Sequence, residues 1–115
     1  MKNDVLKTQS SRQGIFEISA NLVNGKNSWT STNQAIWYVP NSKFWCIGNL
    51  NAIGTETCGV ASKLGLSEDV LKCVYDVPKN EWEYHKAGIG WLEANSNDID
   101  FICQDKQGKI ANTRK

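Results

Sequence analysis

The chain is expected to be all-β: a single compact antiparallel sandwich or small barrel of seven or eight short strands, with at most one short helix. Three observations carry this expectation. Short runs rich in β-branched and aromatic residues recur at roughly 8–12-residue spacing. Polar turns built from Gly, Asn and Ser separate them. Only one stretch has the marks of a helix.

Residues 1–13 are polar with little periodicity and read as a flexible N-terminal segment. Gly14 then opens a first strand over residues 15–19, with Phe16 and Ile18 on one face. Asn24-Gly25 lies between Leu22-Val23 and residues 26–30, and both residues tolerate the positive φ of a type I′ turn, so a hairpin is expected with Trp29 anchoring its return. After a polar connection comes the central hairpin. Residues 35–39 and 44–47 flank Pro40-Asn41-Ser42-Lys43, a turn sequence. The loop length pairs Val39 with Phe44, Tyr38 with Trp45 and Ile36 with Ile47. One face then carries Ile36, Tyr38, Trp45 and Ile47, the other Trp37, Val39, Phe44 and Cys46. A half-exposed hairpin alternates apolar with polar. This one is apolar on both faces.

Residues 48–59 are glycine-rich and polar and should form a loop; the GxxxxGK[ST] pattern that cradles phosphate is missing. Residues 60–62 form a short strand in this reading. Residues 66–71 are the helix candidate: Ser67 can cap, Glu68 and Asp69 suit the first turn, and Leu66 can staple onto Leu71, giving one or two turns. Residues 81–85 alternate cleanly, with Trp82 and Tyr84 facing one way. Two further strands follow over residues 89–94 and 98–104, joined by Asn95-Ser96-Asn97, and residues 105–115 read as a flexible C-terminal tail. The β domain is thus placed at residues 14–104. FWCIGN (residues 44–49) and GWLEAN (residues 90–95) show a weak internal likeness.

A chain of 115 residues fits one domain able to bury roughly two thirds of its unfolded surface. Its formal net charge of +1 supplies no field for polyanions, so neither nucleic acid nor an anionic membrane is implied as partner. Lys106, Lys109, Arg114 and Lys115 gather at the C-terminus as a solvated tail. The first residues lack the apolar core of a signal peptide, and no run approaches the roughly 20 apolar residues of a membrane span. A cytoplasmic location is expected, or an extracellular one if the chain is cut from a longer secreted protein. Cys46, Cys58, Cys73 and Cys103 have long, irregular spacings with no CxxC, which disfavours zinc and thioredoxin-like chemistry. Free thiols and disulfides both stay open.

For catalysis, the single histidine, His85, sits at a strand end beside a glycine turn, and Glu81 and Glu83 alternate with Trp82 as on a solvent face. No GxSxG, HExxH or SxxK occurs. A small hydrolase or metal-assisted enzyme using Glu81, Glu83 or His85 is therefore the alternative and not the favoured reading. Residues 95–100 offer oxygen ligands at alternate positions but lack the glycine and distal Glu of an EF-hand, so they read as a turn. No cofactor and no metal are expected. Binding is favoured: five tryptophans are more aromatic mass than this domain needs, and rings beside Asn, Ser and Glu are what sugars and peptide side chains stack on. Trp37 and Phe44, on the second hairpin face, are the candidate exposed platform. A structural unit acting by self-association is the third reading.

Asn24-Gly25-Lys26 with Trp29, Ile36-Trp37-Tyr38, Trp45-Cys46-Ile47-Gly48, Trp82 and Trp91-Leu92-Glu93-Ala94 together resemble a small Trp-rich β repeat of poorly characterised, often multi-domain eukaryotic proteins, of the form N-G-K/R, aromatic, I-Y-Y, W-x-I-G and W-x-E-A. The resemblance covers roughly residues 14–103. It implies a β fold and a display or recognition module, with a protein, peptide or glycan as partner, and brings no site residues with it.

Overall fold

The computed structural model describes residues 14–94, 101–103 and 110–112. Nine strands lie in one sheet: β1 (Gly14–Ile18), β2 (Trp29–Thr30), β3 (Gln34–Val39), β4 (Phe44–Asn49), β5 (Val60–Ser62), β6 (Trp82–Lys86), β7 (Gly90–Glu93), β8 (Phe101–Cys103) and β9 (Ile110–Asn112). All pairings are antiparallel. The order β7-β6-β5-β4-β3-β2-β1-β9-β8 makes the first seven strands a meander, with β9 added on the free side of β1. The all-β expectation holds. β9 falls in the stretch expected as a tail, so residues 110–112 belong to the sheet; β1 has a second edge, and three residues suffice to pair with it.

The central hairpin has the expected register, with Val39 opposite Phe44, Tyr38 opposite Trp45 and Ile36 opposite Ile47. Its turn closes through the Lys43 N–H donating to the Val39 carbonyl at 2.9 Å. The Asn24-Gly25 turn also forms, with φ of 54° and 84° and reciprocal bonds between Val23 and Lys26. Its Asn24 amide reaches across to the carbonyls of Tyr38 (2.8 Å) and Gly54 (3.3 Å), tying the first hairpin to the second and to the loop beyond it.

Residues 66–71 form less than a regular helix. They hold a single turn, the lower bound of the one or two expected, with the Leu71 N–H donating to the Glu68 carbonyl at 3.2 Å, and among the described residues the only helical segments are 3-10 turns. Six residues cannot offset helix nucleation on propensity alone. Packing decides instead: Leu66, Val70 and Leu71 lie against the main core.

That core occupies one face of the sheet. Trp45 is at its centre, with Tyr38 at 5.3 Å and Trp29 at 6.1 Å between ring centroids. The Trp45 indole N–H donates to the Leu71 carbonyl (2.9 Å) and its backbone N–H to the Ser62 hydroxyl (2.8 Å), so neither buried donor is wasted. β8 meets the Val74–Asp76 turn, and Val74 belongs to this same cluster, so the sheet coils about this face. The second face buries Ala35, Trp37, Val39, Phe44 and Cys46 beneath Ala52, Ile53 and Cys58 of the loop over residues 50–59. Both faces of the hairpin are therefore covered, one by the coil of the sheet and one by a loop.

Gly48 is where loop and sheet come closest. A Cβ there would meet Cys58 Cα, Cys58 Cβ and Trp37 Cη2, each at 3.0 Å. Gly48→Ala should cost about 1–3 kcal/mol, read as a lowered urea midpoint. A second outcome concerns Tyr38, whose phenol is pushed up from 10.0 by burial and then by the negative charge of Glu68. Above pH ~10 the unfolded chain releases a proton that folded Tyr38 keeps, so stability should fall as pH rises through that value, and fall less in Tyr38→Phe.

Candidate functional site

Strand alternation carries the second face beyond the hairpin. Ala61 on β5 stands opposite Cys46 on β4 and Glu83 on β6, and Glu83 and His85 stand opposite Glu93 and Trp91 on β7. The opposite set, Trp82, Tyr84 and Leu92, faces the main core. Loop 50–59 packs over this face at β3 and β4, and Ala61 of β5 shares its buried cluster. Beside it a cleft of about 290 Å3 opens, with Phe44, Ala61, Leu64 and Trp91 as its apolar lining and Ser42, Ser62, Glu56 and Glu83 as its polar one.

Trp91 is 45% exposed and Leu64 68% exposed. The other four tryptophans are at most 2% exposed, so Trp91 is the one that shows a ring to solvent. The His85 imidazole stands edge-on to it, 5.5 Å between centroids at 71°. Lys63 lies alongside, its Nζ 3.4 Å from Glu93 and 4.0 Å from Glu81. Other concavities lack a ring with an open face. One beside Asn33, Asn49 and Asn51 is larger, about 420 Å3, and lined by amides. Another, near Lys26 and Lys72, is lined in part by Trp29 and Trp45, both buried.

The residues expected to form the exposed platform are separated by this arrangement. Trp37 is fully buried; its indole donates to the Thr55 carbonyl at 2.7 Å, under loop 50–59. That corrects the platform at Trp37, since the glycine-rich stretch folds back as a cover. Phe44, 9% exposed, contributes the floor of the cleft. Glu83 lines the same cleft, His85 stands edge-on to Trp91, and Glu81 faces Lys63. Trp91 and Leu64 were not singled out from sequence. The signal for Trp91 lay in alternation: with Trp82 and Tyr84 inward, Leu92 and Ala94 must pair inward too, leaving Trp91 outward. FWCIGN and GWLEAN are not equivalent in this respect, because Trp45 points into the main core and Trp91 away from it.

Among the described residues no three His, Cys, Asp or Glu side chains gather as a metal site. The oxygen-rich residues 95–100 lie outside the described residues. No described helix is long and apolar enough to cross a membrane. No protein-family model, no curated protein and no solved structure matches the chain.

The two kinds of tryptophan should separate on mutation. Trp45→Ala is expected to cost about 3–5 kcal/mol, and Trp91→Ala less than about 1 kcal/mol, both from urea denaturation followed by circular dichroism.

Proposed function

We propose that this domain is a non-enzymatic recognition module that binds a neutral saccharide in the cleft over β5–β7. The observation that carries this reading is Trp91, an exposed ring with His85 edge-on beside it at the mouth of an apolar-floored cleft. An indole face packs against the C–H face of a pyranose, while carboxylates and hydroxyls around it accept hydrogen bonds from the sugar hydroxyls. Glu56, Glu83 and Ser42 provide those acceptors. The carboxylates also disfavour uronic or sulfated sugars, whose charges they would repel. A catalytic role has less support, because Glu81 faces Lys63 and His85 is engaged with the indole.

Self-association has one specific observation in its favour. Leu64 and Trp91 give the cleft two exposed apolar side chains that a second copy could cover. Light scattering across a concentration series distinguishes the two: a constant monomer mass removes self-association.

Titration of the chain with a panel of neutral and acidic oligosaccharides, followed by tryptophan fluorescence, tests the main reading. A neutral oligosaccharide should shift the emission, and Trp91→Ala should weaken its binding about tenfold or more while leaving the fold intact. Failure of every neutral saccharide, or equal binding by Trp91→Ala, would sink the proposal; capture of extended peptides in place of sugars would do the same.

A further inference from the structure

Loop 50–59 carries a second feature, independent of the cleft's ligand. Cys58, half-buried at the end of the loop, donates its thiol to the Sγ of fully buried Cys46 on β4, at 2.7 Å. The contact is held by anchors that do not involve sulfur. The Gly59 N–H donates to the Ile47 carbonyl at 3.1 Å, fixing the residue after Cys58 beside the residue after Cys46. Three residues before Cys58, a second clasp forms where the Trp37 indole donates to the Thr55 carbonyl. Gly48 removes the Cβ that would push Cys58 away. Cys73, the remaining cysteine whose side chain is described, packs against the main core on the opposite face of the sheet, so it cannot reach either sulfur.

From this geometry we infer that Cys46 and Cys58 are a disulfide-forming pair, whose co-substrate is a small disulfide such as oxidised glutathione and whose bond staples loop 50–59 to β4. Cys58 is the more accessible sulfur. Its thiolate attacks one sulfur of the small disulfide, forming a mixed disulfide and releasing one thiol. The Cys46 thiolate then attacks the Cys58 sulfur and releases the second. Two protein thiols are oxidised, one disulfide is reduced to two thiols, and the two protons lost from the cysteines end on the leaving thiols. The Cys46 thiol is held protonated by the hydrogen bond it shares with Cys58, by burial, and by negative charge at Cys58 and Glu56. Glu56, two residues before Cys58, forms one wall of the cleft, so the staple also fixes that wall.

The test uses the whole chain, reduced and then equilibrated with oxidised glutathione, quenched in acid, alkylated and mapped by mass spectrometry. A Cys46–Cys58 linked peptide, two hydrogens lighter than the reduced pair, is expected. The oxidised protein should show a folding equilibrium constant on the order of 100-fold larger than the reduced one, as a twelve-residue separation implies. Comparing two redox states of one protein removes any dependence on whether a variant folds; Cys58→Ala, where it folds, should lose the response to oxidant. Full alkylation of both residues after equilibration, or a link running through Cys73 or Cys103, would overturn the inference.

Discussion

The pairing of β3 with β4 is the constraint from which the remaining structure follows. Six residues on each strand pair without interruption, and every one but Asn49 is buried. A ribbon apolar on both faces cannot stay at a surface. Each buried tryptophan removes about 150–250 Å2 from water, worth about 4–6 kcal/mol at the usual coefficient before chain entropy is charged. The flanking strands answer one face by coiling the sheet until its far edge meets the Val74–Asp76 turn. A loop answers the other. The two covers differ in kind: the first is built from strands and turns packed through rings, the second from a glycine-containing segment held by a few hydrogen bonds and one thiol contact.

Much of the first cover was legible in the chain. Asn24-Gly25 adopts the two positive φ angles that its residue types favour, and the Pro40–Lys43 turn fixes a register in which a slip by one residue would exchange the two faces. Alternation placed Trp82 and Tyr84 inward. Capping and stapling residues at 66–71 suit a single packed turn as well as two, and the structure holds one. β9 was not visible, since three residues of ordinary composition pair with β1 through their backbones, and backbone pairing leaves no side-chain period to detect.

The site was far less legible, for a physical reason. Whether a ring on the second face is a platform or a core residue depends on where a loop of polar and small residues settles. Residues 48–59 carry no periodicity that would announce a roof. What directs the loop are contacts between distant positions: the Trp37 indole with Thr55, the Asn24 amide with Gly54, and the space left by Gly48 for Cys58. Trp37 and Trp91 share one face of one sheet, yet the roof hides the first and leaves the second open. Sequence alone assigned Trp37 to its face correctly and could not assign the cover.

This places the proposed saccharide cleft at the rim of the weaker cover. Its floor, Phe44 and Ala61, belongs to paired strands, and Trp91 stands opposite His85 across a ladder; these positions are set by the sheet. Glu56 belongs to the roof and moves with it. A ligand seated there touches both bodies at once, so its affinity includes the free energy of holding the loop in place. Tightening the loop by any means, whether ligand elsewhere on it or a covalent link at its base, lowers that ordering cost and leaves the ring contact unchanged. The rigid half of the cleft would then govern which ring is accepted, and the roof how firmly it is held.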